Sequence, residues 1–369
     1  MKIVHLETGR HLYGGARQVA SLLNALSDVD HVLVCRPQAA IAAVVDPHVR
    51  VVEMPLHGDL DLRAKEKLRR VLEREQPDVL HVHSRAGADR FGGRAARCLG
   101  VRAVLTRRVD NPEPRAWARR KFRNYDVIAA ISTPIAHWLR HEVRVPAERV
   151  TKIASGIDIA AFDDSRAARA NLVQQYDIEP GQPLIAAAGQ LIERKGHDVL
   201  LRALPNIVAR HRRLKLMIFG RGPREAALRA QARSLGIAEH VIFAGFVPRL
   251  EQLLAGFDVF VHPARREGLG LVVLEALAAG VPVVAGSAGG LVDAIEDECT
   301  GLLVPPGDPG ALTAAVLRLL ENEALARELV GNGRARVAER FDLRDMAAGY
   351  RELYAALRSN RSGLPSRQL

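Results

Sequence analysis

Short apolar runs alternate with longer stretches of helical periodicity along the whole chain, the pattern of parallel sheet covered by helices. In the first half, strands are expected at 2–7, 31–35, 50–54, 78–83, 102–106, 126–131 and 150–153. Helical patterns fall between them, for example from Ala16 to Leu26 and from Leu62 to Glu75. The rhythm breaks over 158–182, a polar stretch that closes on Glu179-Pro180-Gly181-Gln182-Pro183 and reads as a linker near 165–182. A second series of strands follows near 184–188, 214–219, 240–244, 257–262, 281–285 and 301–304. The simplest reading is two consecutive α/β domains, 1–165 and 166–342. A last helical pattern over 343–358 is a candidate to cross back to the first domain. Residues 359–369, with Ser, Gly, Pro and Arg, read as a flexible tail.

Composition narrows the class. With 369 residues, 48% of them apolar, the chain can bury more than one core. Aromatic residues make up 4%, which fits packed βα layers better than a sandwich or an aromatic carbohydrate-binding module. Cys35, Cys98 and Cys299 are scattered and odd in number, which argues for a reducing compartment and against a disulfide frame or zinc site. Strand pattern begins at Lys2, no apolar run reaches membrane-spanning length, and a soluble, cytosol-side protein is expected.

The formal net charge of +11 is unevenly placed. Residues 1–170 hold 29 Lys+Arg against 20 Asp+Glu, and the remainder holds 24 against 22. The first half is therefore the expected face for an anionic partner: membrane phospholipid, nucleic acid or an acidic acceptor. Its densest stretch, Arg115 to Arg123, sets Trp117 and Phe122 among five basic residues, and both aromatics are candidates for a headgroup interface. Nucleic acid is not expected, because no recognised nucleic-acid module appears.

The chemistry gathers at strand ends. Val259-Phe260-Val261-His262-Pro263 is strand-like and leads through Glu267-Gly268-Leu269-Gly270-Leu271 into an apolar helix that carries Glu275. Gly268 and Gly270 allow close backbone approach, and the free amides of the following helix suit an anion. Backbone donors for phosphate beside carboxylates for hydroxyl groups suit a nucleotide sugar. After the strand at 184–188, Gly189-Gln190-Leu191-Ile192-Glu193-Arg194-Lys195 brings positive charge to the same edge, where a departing diphosphate needs it. Phe219-Gly220-Arg221-Gly222 adds a third loop, and the strand ending at Gly245-Phe246 adds a fourth on which a base can rest. In the first half, Gly14-Gly15-Ala16 opens the first helix, and Arg17 or Gln18 can reach toward the strands' carboxyl edge.

These motifs, together with Gly289-Gly290, Gly301-Leu302-Leu303-Val304-Pro305 and Ser155-Gly156-Ile157-Asp158, resemble those of retaining GT-B glycosyltransferases of the family 4 type, in the same order. The resemblance covers nearly the whole chain and implies two Rossmann-like domains facing an interdomain cleft, the first for acceptor and the second for the nucleotide sugar. It implies that Glu275 accepts bonds from the ribose hydroxyls, that Glu267 lies near the donor sugar, and that the Gly270 and Leu271 amides cap sugar or phosphate oxygens. Lys195 then neutralises the diphosphate, which Gly15 touches from the opposing domain, and no metal or other cofactor is required.

Two positions depart from that pattern. Gln190 stands where many relatives carry Arg, so either Arg194 substitutes or the diphosphate is held less strongly. Thr106-Arg107-Arg108 stands where many relatives read Thr-x-His, and Arg108 points to an acidic donor, an anionic acceptor or an altered mechanism. His81 and His83 share a strand face, but no third ligand of suitable spacing follows, so no metal is expected. His83 and Arg85 instead read as shaping the acceptor side.

Competing activities fit less well. Glu267 and Glu275 would lie roughly 12 Å apart along a helix, beyond the roughly 5–9.5 Å of a glycosidase pair. The first loop lacks the GxGxxG of a dinucleotide oxidoreductase. The expected activity is transfer of a sugar to a glycan or lipid-linked acceptor in lipopolysaccharide or other cell-envelope synthesis. The expected location is cytoplasmic, with a peripheral contact on the inner membrane face. A nucleotide-sugar epimerase or an inactive nucleotide-sugar-binding protein of the same fold is the alternative.

Overall fold

The computed structural model describes residues 1–56, 61, 63–83, 87–111, 113–162 and 165–359, with only the backbone of Ser165 and Arg166. Its chain contacts divide into two compact units, Met1–Gly156 together with the segment from Leu343, and Ile157–Asp342. The division falls at Gly156/Ile157, ahead of the expected 165/166. Ile157 is already tied to the second unit, bridging to Asp342 and donating its amide to Phe341 O at 2.9 Å. The stretch read as a linker contains a helix, Ser165–Tyr176, with Ala168 and Leu172 buried. Its many small and polar residues gave little apolar contrast, which hid it from the periodicity.

In the first unit, strands β1 (Lys2–Leu6), β2 (Asp30–Cys35), β3 (Arg50–Glu53), β4 (Val79–Val82), β5 (Arg102–Arg107), β6 (Val127–Ala130) and β7 (Val150–Lys152) form one parallel sheet. Their order is β3-β2-β1-β4-β5-β6-β7. In the second unit, β8 (Leu184–Ala188), β9 (Lys215–Phe219), β10 (Val241–Gly245), β11 (Val259–His262), β12 (Val283–Gly286) and β13 (Leu302–Val304) form another. Here the order is β10-β9-β8-β11-β12-β13, again parallel. Most central strands are buried on both faces, which is why they read as unbroken Val/Ile/Leu/Ala runs.

Helices cover each sheet through apolar stripes. Helix 64–75 turns Ala64, Leu68 and Leu72 inward at intervals of four, while Glu66, Arg69 and Arg70 pair along its wet side. Helix 309–321 starts where Asp308 accepts the Gly310 and Ala311 amides at 2.8 and 3.0 Å, with Pro309 at its first position. Helix Leu343–Ser359 buries Met346, Ala347, Tyr350, Tyr354 and Leu357 in the core of the first unit, beside Ile3, Leu22 and Val104. Of the segment read as a tail, Ser359 ends this helix, and 360–369 lie outside the described residues.

Each sheet has a switch point, between β1 and β4 in the first unit and between β8 and β11 in the second. There the chain departs in opposite directions from neighbouring strands and leaves a crevice at their carboxyl ends.

Candidate functional site

In the second unit, the loops after β8 and β11 meet at the switch point. Lys195, in a short 3₁₀ turn after β8, donates through Nζ to Glu267 Oε2, and both side chains are 12% exposed. Arg194 Nη1 stands 4.0 Å from Glu267 Oε1. His262, the last residue of β11, places Nε2 3.0 Å from Glu267 Oε2, and the Gly268 amide donates to Oε1 at 3.1 Å. Burial alone would raise the Glu267 carboxyl. The Lys195 ammonium and the His262 bond outweigh it and hold the group below the ordinary carboxylate range. Burial, aided by Lys195, lowers His262, so its imidazole is neutral and donates Nε2–H to the carboxylate. The crevice therefore holds an ionised carboxylate and an ammonium in contact, a pair able to meet charge of either sign.

Around them the strand ends interlock. The Gly189 amide donates to Phe219 O at 2.9 Å and the Gly220 amide to Gly245 O at 2.7 Å. At Gly220 (φ +130°) a side chain would meet Gly189 O at 2.0 Å, so packing of one loop on the next already demands glycine there. Gly270 (φ +90°) is the N-cap of helix Leu271–Ala278, and no side chain caps it. Gly268, expected to let the backbone come close to a ligand, has its own amide taken by Glu267, because a carboxylate one residue back lies within reach of it.

The remaining expected donor residues occupy the same series of loops. Gln190 and Arg194 are half-buried after β8, and Phe246 is 46% exposed after β10. Leu271 begins the helix, and Glu275 is buried on it. Lys195 and Glu267 are thus brought into contact, while Glu275 lies within the helix that follows Gly270.

The first unit has a pocket of about 240 Å³ at its own switch point, lined among others by Glu7, Gly15, His83, Arg107 and Arg108. Arg107 pairs with Glu113 and donates Nη2–H to Asn111 O at 2.8 Å, while its buried Nε has no partner. Arg108 donates Nη2–H to His83 Nδ1 at 3.2 Å. Arg17 is exposed on helix Gly14–Ala25. Gln18, read as able to reach the strand edge, is buried and donates instead to Gly156 O at 2.7 Å. Arg85 lies outside the described residues.

Two expectations are corrected here. A third histidine does accompany His81 and His83: His5 lies opposite His81 in the β1–β4 register, and ligand atoms of the three fall within 4.8 Å of one another. Sequence spacing could not reveal it, since strand order brings the residues together. Their nitrogens already bond to protein groups. His5 contacts His83 and His31 at 2.9 Å each, while His81 contacts Tyr354 at 2.6 Å and Thr106 at 2.7 Å. The second correction concerns Phe122, which is 1% exposed and packs edge-on against Trp138, whereas Trp117 is 62% exposed. The aromatic part of that basic surface is Trp117 without Phe122.

His262, His5 and His31 were missed. For His262 a signal existed, a polar residue closing an apolar strand immediately before the glycine-rich turn.

Residues 168–336 match the family described as Glycosyl transferases group 1, and residues 13–161 match Glycosyltransferase Family 4. A GDP-mannose-dependent alpha-(1-6)-phosphatidylinositol monomannoside mannosyltransferase from Mycolicibacterium smegmatis is 36% identical over 226 residues. That match covers 58% of this chain and 59% of the relative, so the chain spans under two thirds of its length. The fold is that of solved glycosyltransferases. The enzyme from Rickettsia africae has a TM-score of 0.85 at 18% identity, covering 97% of this chain and 99% of that one. HepE from Anabaena, solved with UDP-glucose, has a TM-score of 0.85 at 21% identity, covering 96% and 99%.

Proposed function

The chain belongs to the group 1 glycosyltransferases of the family 4 type, with the GT-B fold, and we propose that it moves a sugar from a nucleotide-sugar donor to a glycan or lipid-linked acceptor. The observation that carries this reading is the Lys195–Glu267 contact at the β8/β11 switch point, with neutral His262 behind it. In this reading the second unit takes the nucleotide sugar. The Lys195 ammonium stabilises the charge that gathers on the departing diphosphate, and the Gly270 end of the helix adds its dipole. Glu267, kept ionised, stabilises the positive charge that develops on the sugar as its bond to the diphosphate lengthens. Transfer then occurs on the face the nucleotide leaves, with retention, and the leaving phosphate takes the acceptor proton. Glu275 holds the ribose hydroxyls.

The reaction is read as independent of metal. The histidine cluster of the first unit contains no carboxylate, has its nitrogens engaged by protein groups, and lies against a guanidinium, all of which disfavour a cation there. An envelope glycan or lipopolysaccharide acceptor is the reading supported by the basic first half and by the lipid named in the mycobacterial relative. A peripheral contact with the inner membrane face belongs to the same proposal. No helix among the described residues is long and apolar enough to cross a membrane.

Acceptor-dependent release of nucleotide from a panel of UDP-, GDP- and ADP-sugars tests the proposal. Glu275→Ala is expected to weaken nucleotide binding, and Lys195→Ala and Glu267→Ala to cut turnover. Equal transfer by all three variants and the parent would remove the site. Nucleotide binding without any acceptor-dependent release would leave a binding protein.

A further inference from the structure

We propose that the pocket at the β1/β4 switch point is an anion-recognition subsite, in which Arg108 binds a carboxylate or phosphate carried by the substrate outside the donor diphosphate, with His83, His5 and His31 as positioning residues. The identity of the anion's bearer rests on the transferase reading; the pocket itself does not. Its walls come from the first unit alone: the end of β1, the start of helix Gly14–Ala25, the end of β4 and the end of β5. At about 240 Å³ it is several times the roughly 30 Å³ a liquid water occupies.

Among the described residues, the neighbouring cations Arg107 and Lys121 are paired with carboxylates, Arg107 with Glu113 and Lys121 with Asp89 and Glu113. Arg108 differs. One nitrogen, Nη2, is bonded to His83, while Nε and Nη1 are buried with no partner. Buried donors of a charged group are rarely left unmade, and a guanidinium can be satisfied only by acceptors. Two unmet donors on a charged group favour an anionic acceptor such as a carboxylate or phosphate, and because Nε–H and Nη1–H diverge they are met singly and not as one fork. A methyl on Gly15 would lie 3.7 Å from Arg108 Cδ, so the first turn of the helix, where amides are left free, lies against the stem of the arginine. Tyr13, the N-cap, supplies no side-chain cap to them. Glu7 also lines the pocket, and its Oε1 accepts the Gly9 amide at 2.7 Å.

Behind Arg108 runs a directional chain of imidazoles. Arginine can only donate, so His83 Nδ1 accepts and His83 carries its proton on Nε2. That proton is donated to His5 Nδ1 at 2.9 Å, the Nε2 proton of His5 goes to His31 Nδ1 at 2.9 Å, and His31 Nε2 donates to Leu26 O at 3.0 Å. One tautomer of each ring satisfies every link. Burial keeps all three neutral, which the scheme requires. His81, fixed by Tyr354 and Thr106, sets its ring, tilted by 40°, 3.7 Å from that of His83. The guanidinium is thereby anchored on one edge.

The test is calorimetric titration of the full chain with glucuronate, with inorganic phosphate and with glucose, each at saturating UDP or GDP. Glucuronate and phosphate are expected to bind with the nucleotide present, and glucose at least tenfold more weakly than glucuronate. Arg108→Gln should abolish that preference. His83→Phe, which keeps the arginine but removes its acceptor, should weaken glucuronate several-fold, and His83→Gln, able to accept and donate, should restore it. Melting temperatures identify any variant that has lost its fold. Equal glucuronate affinity in the parent and folded Arg108→Gln overturns the proposal, as does absence of anion binding by the parent. Displacement of the anion by the nucleotide would overturn it too, by placing the ligand at the diphosphate position. A parent that binds glucuronate through Arg108 yet binds no nucleotide would remove the transferase reading and keep the pocket.

Discussion

A carboxylate as enclosed as Glu267 stays ionised only where its neighbours more than replace the water it has lost. Lys195 supplies the charge, while His262 and the Gly268 amide supply the hydrogen bonds. The two halves of the pair are unequal under mutation. Lys195→Met leaves a buried anion without its cation, which costs about 3–5 kcal/mol. Glu267→Gln keeps an oxygen for the His262 proton and frees the ammonium. Glu267→Gln should therefore hold or tighten nucleoside diphosphate while turnover falls about 100-fold, roughly 2.7 kcal/mol of transition-state stabilisation. Calorimetry for binding and initial rates for turnover check the two separately, and turnover within threefold of the parent would exclude Glu267 from the chemistry. Lys195 and Glu267 were legible because glycine-rich strand ends advertise them. His5 and His31 were not, since their partners come from neighbouring strands whose order no local pattern encodes.

Elements were easier to read than their neighbours. Each strand of both sheets lies within about two residues of its expected place, because most are buried on both faces and so read as apolar runs with few exceptions. Helix 165–176 was lost for the opposite reason. Helix Arg115–Phe122 shows what periodicity offers when it is applied: residues five apart are separated by about 140° around a helix, so Trp117 and Phe122 cannot share a face. Phe122 packs inward under Arg107, and Trp117 stays outside beneath the Arg90 guanidinium at 5.0 Å. Arg115, Arg119, Arg120 and Arg123 are all exposed, and Arg120, three residues on and about 60° away around the helix, is the one on the side of Trp117. Near an anionic surface each such charge contributes about 1 kcal/mol. The full chain should sediment with vesicles containing phosphatidylglycerol and not with neutral ones, and Trp117→Ser with Arg120→Glu should lower the bound fraction several-fold. Equal sedimentation with both lipids would remove the membrane contact.

At the scale of the molecule, alternation of strand and helix sufficed to give two sheets, and the helical pattern left over at 343–358 pointed back to the first of them, but not to the groups it meets there. Tyr354 and Tyr350, from the last described helix, reach the hydroxyl and imidazole groups of Thr106 and His81 in the first unit's core. Such a core, built on uncharged imidazoles, makes stability depend on pH in a definite direction. Burial holds His5, His81 and His83 well below their ordinary value and His31 at about 4, and in the second unit it lowers His197 to about 3 and also lowers His262. In the unfolded chain these rings take up protons near pH 6.5. Below that value the unfolded state binds more protons, so their contribution is complete above pH 6.5 and is lost as pH falls toward 4. Asp198, Glu113 and Glu75, lowered by arginine or lysine partners that outweigh their burial, add a further loss below about pH 4.5. Glu7, raised by burial, acts in the opposite sense. Each additional proton bound on unfolding contributes a slope of about 1.4 kcal/mol per pH unit. Against a net stability on the order of 5–15 kcal/mol, several such protons unfold the chain well before its carboxylates titrate. The urea midpoint should be nearly level from pH 8 to 7 and fall steeply from 6.5 to 5. His31→Gln should reduce that slope by one proton's worth, and a midpoint unchanged between pH 7 and 5 would mean that the imidazoles are charged in the native state.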